Sequence, residues 1–111
     1  MRKSLMLLVA LLAVGTLSVR AADVKENWEK HCTKCHGADG KGDTKMGKKL
    51  EVKDYTDGKV QAATKDEEML KAIKVGVKEK DSDKTKMKAF ADLLSDDEIK
   101  ELVKQVRSFK K

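Results

Sequence analysis

The 111-residue chain contains no proline, two cysteines, one tryptophan, one tyrosine and two phenylalanines. Aromatic residues make up only 4% of it, against 40% charged residues. These shortages exclude several classes. Two cysteines cannot make a disulfide-dense scaffold. One Trp and one Tyr offer little for nucleobases to stack on, and no Lys/Arg run exceeds two residues, which argues against a nucleic-acid-binding protein. A short domain with so few large apolar side chains is marginal without a staple. Either it stays disordered, as its content of Lys, Asp and Glu would allow, or something other than side chains fills its centre. The ordered spacing of its apolar residues argues for the second.

The longest apolar run, Leu5 to Val14, is ten residues. Extended to Val19 it remains short of the roughly 20 residues a membrane span needs. Arg2 and Lys3 precede it, and small residues follow up to Ala21 and Ala22. This is the outline of a secretory signal peptide, residues 1–21, cleaved after Ala21. No cysteine precedes Cys32, so no lipid can be attached to a leader cysteine. The expected mature chain, residues 22–111, loses Arg2, Lys3 and Arg20, which takes the formal charge from +6 to +3. No stable membrane insertion is expected after cleavage.

What is present reads as helices joined by loops. Val24, Trp28 and Cys32 recur every four residues, predicting a short helix over 24–35. A loop carrying Gly37, Gly40, Gly42, Gly47 and Gly58 follows. Thr64-Lys65-Asp66-Glu67 has the form of a capping box. Met69, Leu70, Ile73 and Val77 make an apolar stripe after it, with Gly76 as the stop. A charged loop runs from Lys78 to Lys88. Ser95-Asp96-Asp97-Glu98 repeats the capping-box pattern, and Ile99, Leu102, Val103, Val106 and Phe109 follow at helical spacing. No alternating pattern of useful length predicts a strand.

Both cysteines and both histidines fall in His31-Cys32-Thr33-Lys34-Cys35-His36. C-x-x-C-H is the form of a c-type haem attachment site. Cysteines at i and i+3 lie on one side of a helical turn, where each thiol can add to one porphyrin vinyl group. His36 then follows under the iron as an axial ligand. A haem would also be the missing core. Three other readings compete. Zinc would take Cys32, Cys35, His36 and His31, four ligands crowded into six residues. A thioredoxin-like pair lacks its βαβ context. A disulfide at this spacing closes too small a loop to stabilise much. His31 reads as a surface residue. The second axial ligand could be Met46, Met69 or Met87. Met46 lies only ten residues after His36, and Met69 sits in an apolar stripe where packing is its ordinary role. Met87, in a loop free to reach inward, is favoured.

With these residues in view, "CTKCHGADGKG", "MGKKL" and "MKAFADLLSDDEIKELVKQVRSF" resemble the small bacterial monohaem class I cytochromes c. The resemblance spans Val24 to Phe109. It implies an all-α class I cytochrome c fold, with three to five short helices wrapped around one covalent haem c and its iron. It implies Cys32 and Cys35 as thioether positions, His36 as proximal ligand and Met87 as distal ligand. It implies first and last helices crossed, with Trp28 against Leu102, Val103 or Val106, and a backbone carbonyl beside Gly47 holding the His36 ring. The family usually has proline directly after the ligand methionine and often beside the glycine matching Gly47; Lys88 and Lys48 stand there in this chain. On that basis a less stiff loop and a more easily displaced Met87 are expected.

The function implied is that of a soluble, exported carrier of one electron in the bacterial periplasm: a monomer, not an enzyme. Its expected partners are redox proteins with acidic docking patches, met by Lys34, Lys41, Lys45, Lys48, Lys49, Lys84, Lys86 and Lys88. Asp39, Asp43, Asp81 and Asp83 are interleaved with them, so an ordinary solvated surface competes with docking. The rival classes are a haem enzyme or gas sensor with an open iron, and an exported thiol–disulfide protein.

Overall fold

The computed structural model describes residues 21–111; the expected signal peptide lies outside the described residues apart from Ala21. Six helices and one short ladder follow in order: α1 (Ala21–His31), α2 (Thr33–His36), α3 (Lys45–Leu50), α4 (Gly58–Ala63), α5 (Asp66–Val75), β1 (Val77–Lys78), β2 (Thr85–Met87) and α6 (Asp96–Ser108). The predicted all-α class holds, with more helices than expected. The segment read as one glycine loop contains α3, α4 begins at its last glycine, Gly58, and the first predicted helix is broken at Cys32.

The core forms where helical periodicity said it would. Val24, Trp28 and Cys32 of the first segment, Met69 and Ile73 of α5, and Ile99, Leu102, Val103 and Val106 of α6 join Phe90 and Leu94 in one buried cluster. Ile99 and Leu102 are its most enclosed side chains, at 0% and 1% exposed. The first and last helices pack together, as expected, and Trp28 meets Phe109 at a tilt, with ring centroids 5.0 Å apart. Val77 is the exception in the predicted stripe. The chain leaves the helix at Gly76, and Val77 points outward from β1 at 37% exposed.

The two predicted capping boxes diverge. At α6 the box is complete: Glu98 N–H donates to Ser95 Oγ at 3.2 Å, and Ser95 N–H donates to Glu98 Oε1 at 3.1 Å. The other oxygen of Glu98 accepts from Asn27 Nδ2 at 2.8 Å, tying α1 to the start of α6. At α5 no box forms. Its N-cap is Lys65, without a side-chain cap, because the Thr64 hydroxyl donates instead to Val60 O of α4 at 2.9 Å. The acidic first turn, Asp66, Glu67 and Glu68, still complements the helix dipole.

The short helix α4 is fastened from outside. Buried Gln61 donates through Nε2 to Tyr55 O and to Val106 O at 2.7 and 2.8 Å. Arg107 donates to Gln61 O, Gln61 Oε1, Thr64 O and Asp66 Oδ1. One buried amide and one guanidinium therefore lock α4 and the α5 entrance onto α6, since each of their polar groups has a fixed partner.

The hydrogen bond from the Ser95 backbone, then that from Asn27, holds the Glu98 carboxyl below its ordinary value of 4.5. A carboxylate whose value is lowered on folding stabilises the fold above its unfolded value; that contribution fades as pH falls through the lowered value. Glu98→Ala is expected to cost about 1 kcal/mol at neutral pH. In denaturant titrations the gap from wild type should narrow below pH 4.5. A gap independent of pH would show that the carboxylate is not the stabilising species.

Candidate functional site

A narrow cleft, open to solvent on one side, lies between the first helical segment, α5, β2 and α6. Trp28, Cys32 and His36 line it from one side. Met69, Ala72 and Ile73 of α5, Met87 of β2, and Leu102 and Val106 of α6 form the other walls, with Tyr55 at the loop side. The lining is almost wholly apolar.

The structure thus brings Cys32, His36 and Met87 to one cleft. Cys35 is half-buried on the same turn, and both thiols are free. Met69 also reaches the cleft, from the interior of α5, and is 5% exposed. Met46, in α3, does not line it. His31 is half-buried and meets Phe90 edge-on, with centroids 5.4 Å apart. Among the described residues no group of three or more His, Cys, Asp or Glu side chains could hold a metal ion, so the four-ligand zinc arrangement does not form.

The turn carrying Cys35 and His36 is held through its backbone. The Trp28 indole Nε1 donates to Gly37 O at 3.0 Å. Thr44 Oγ1 donates to Cys35 O at 2.8 Å and accepts from Gly47 N–H at 2.8 Å, so the residue that caps α3 also seats α3 on the turn. Gly42 N–H donates to His36 O at 2.8 Å. At Gly47 a Cβ would run into the carbonyl oxygens of Gly42 and Cys35 and the Thr44 hydroxyl. Only a bare α-carbon lets α3 lie this close.

Burial shapes the chemistry of these groups. Desolvation first, then the neighbouring Cys35 thiol, pushes the Cys32 thiol up to about 12. Burial lowers the value of His36. Its Nδ1 is buried without a hydrogen-bond partner. The carbonyl expected beside Gly47 does not bond that ring atom; Lys48 O accepts from Glu51 N–H at 3.3 Å. Neutral imidazole is the form that ligates a metal.

Tyr55 was not singled out by the sequence. Its ring lies 5.9 Å from His36, centroid to centroid, and burial raises its value. A single tyrosine inside a polar loop carries no periodicity that would mark it. The position could have been suspected only from being the chain's one tyrosine.

An apolar cleft bordered by a C-x-x-C-H turn, with free thiols and an imidazole whose buried Nδ1 has no hydrogen-bond partner, fits a covalently held haem. That combination defines a c-type cytochrome. The profile of the family described as "Cytochrome C oxidase, cbb3-type, subunit III" matches residues 19–104, and the chain belongs to this cytochrome c family. Among solved structures, "KustC0563 c-type cytochrome" is similar at 36% identity and a TM-score of 0.69, covering 78% of this chain and 96% of that one. A structure of a Kustc0563 point mutant is similar at 33% identity and a TM-score of 0.65, covering 79% and 99%. No curated protein matches the sequence. The chain is a small monohaem class I cytochrome c, with a covalent haem c and its iron, and its activity is haem-based electron transfer.

Gly47→Ala should destabilise the fold by about 1–3 kcal/mol, because the added methyl meets backbone rather than a movable side chain. Gly58→Ala, where a Cβ finds only Lys110 Cε at 3.6 Å, serves as the comparison. Equal melting temperatures for the two variants would refute a close seat for α3.

Proposed function

We propose that this chain is an exported one-electron carrier, not an enzyme, in which Cys32 and Cys35 form the thioethers, His36 is the proximal ligand and Met87 the distal ligand. The observation that carries this reading is the convergence of Cys32, His36 and Met87 on one apolar cleft. Bound there, the haem supplies a one-electron ferrous/ferric couple. The residues of the chain do the rest. The backbone bonds to Cys35, His36 and Gly37 orient the proximal turn. Ile73, Leu102 and Val106 exclude water, which disfavours the more charged ferric state and raises the potential. A methionine on the distal side raises it further relative to a second nitrogen. With His36 and Met87 both holding the iron, neither redox state would need a ligand change and no position would be left for substrate.

Among the described residues no helix is long and apolar enough to cross a membrane. The leader-like residues 1–21 are what supports export to the periplasm. The partners of a carrier must bind and release quickly, which suits small, wet, charge-guided interfaces. Lys34, Lys41, Lys45, Lys49, Lys84 and Lys88 are exposed, and Lys86 is half-buried. Lys48 is paired with Asp43 at 3.0 Å in an exposed ion pair, which weighs little either way. These lysines are proposed to dock an acidic redox partner, with the chain acting as a monomer.

The test is the absorption spectrum of protein matured by the haem-attachment machinery. A low-spin spectrum is expected, with a weak far-red ferric band that Met87→Ala abolishes and Met69→Ala retains. Loss of the band in Met69→Ala alone would reassign the ligand. A high-spin spectrum altered by carbon monoxide would instead indicate an open iron. In the same preparation an N-terminus at Ala22 supports export, and a retained leader counts against it.

Electron transfer with an acidic partner should slow as ionic strength rises from about 0.01 to 0.15 M, where screening shortens from roughly 30 to 8 Å. A rate indifferent to salt would remove the docking role of the lysines.

A further inference from the structure

Met87 sits on a segment fastened to the end of α5 by backbone hydrogen bonds on both sides of the methionine. β1 and β2 pair antiparallel, Val77 opposite Met87 and Lys78 opposite Thr85, with an irregularity between Val77 and Lys78. Glu79 N–H donates to Lys84 O at 2.8 Å and closes the hairpin. Beyond Met87, Phe90 N–H donates to Ile73 O at 2.8 Å and Ala91 N–H to Lys74 O at 3.3 Å. Carbonyls that the end of a helix would leave unpaired thus hold the residues on the far side of the methionine. The segment expected from the sequence as a free loop is a seam along the helix terminus.

Gly76 stands at the centre of this seam. Its φ of 78° and ψ of 179° lie in a region open almost only to glycine. A Cβ there would stand 2.5 Å from Met87 O, 2.9 Å from Ala89 N and 3.1 Å from the Lys88 carbonyl carbon. All three are backbone atoms, so no rotamer change can make room. The α-carbon of Gly76 is therefore the surface on which residues 87–89 rest. The next residue, Lys88, does not fix its own φ as a proline would, so the seam must supply the constraint.

We infer that Gly76 is a positioning residue for Met87: its bare α-carbon and positive-φ turn seat the backbone of residues 87–89 so that the methionine side chain is presented to the cleft. This rests on Met87 being the distal ligand. A side chain at 76 drives the seam open, and the population in which Met87 has left the iron rises. Gly76 does not line the cleft and acts only through the strand it supports.

The test uses holoprotein. In Gly76→Ala the haem should remain covalently attached and bound to His36. The far-red methionine band should weaken, imidazole should bind about tenfold more tightly or better, and the reduction potential should fall. Gly58→Ala should change none of these. A Gly76→Ala protein that merely melts earlier, with band, potential and imidazole affinity as in wild type, would overturn the proposal and leave Gly76 as a helix stop. A wild type whose far-red band is absent, or survives Met87→Ala, would instead overturn the ligand assignment and this proposal with it. A second arm needs no variant. Saturating wild type with imidazole should lower the hydrogen-exchange protection of the Phe90 and Ala91 amides by about tenfold, because ligand and seam let go together. Unchanged protection would show that the methionine moves independently of its seat and would refute the inference.

Discussion

A cofactor-binding turn whose side chains face a cleft has to be held by something other than those side chains. This constraint organises the molecule. α2 has only four residues and buries none of them, so it cannot be stable by packing or by its own hydrogen bonds. Its position depends on the Trp28 indole at Gly37 O, the Thr44 hydroxyl at Cys35 O and the Gly42 amide at His36 O. Each of these donors is itself fixed by a different element: α1, the α3 cap and the glycine loop. The absence of room for a Cβ at Gly47 follows from the same requirement, since a hydroxyl can reach the turn only if the helix it caps lies against it.

The wall that carries Met87 is built on the same plan with different parts. There the seat is the end of α5, and the holding groups are its carbonyls and the hairpin ladder. In both walls a glycine marks where backbone presses on backbone, and in both the side chains are left free to face the cleft. The aromatic-poor composition is then intelligible. Trp28, Tyr55 and Phe109 are gathered around the His36 side, with Trp28 in contact with both His36 and Phe109, while Phe90 packs under His31.

What could be read from the sequence follows how local each cause is. The C-x-x-C-H turn, the stripe of α6 and its Ser95–Glu98 cap are determined within a few residues, and all were legible. The Thr64 cap was misread because its hydroxyl has a competing acceptor, Val60 O, only four residues back, and nothing in the local pattern says which wins. α3 and α4 were invisible because neither has an apolar stripe; Thr44 and the Gln61–Arg107 clamp hold them through partners up to 46 residues away. The ladder was missed because strands of two and three residues are too short to alternate. The same brevity hid the role of Gly76, whose position at a helix end was plain but whose pressure on Met87 exists only once the hairpin has folded back.

The packing of α1 against α6 has a consequence for the order of events during synthesis. The two helices stand at opposite ends of the described chain, and Trp28 and Cys32 owe their burial to a cluster that includes Ile99, Leu102, Val103 and Val106. Closing so long a loop is the slow part of forming such a contact. Until residues 96–108 have emerged, the α6 side of that cluster is missing, and the thiol of Cys32, only 8% exposed in the finished fold, lacks its full cover. The last helix to be made is therefore the one that completes the burial of Cys32, while Cys35 stays half-exposed.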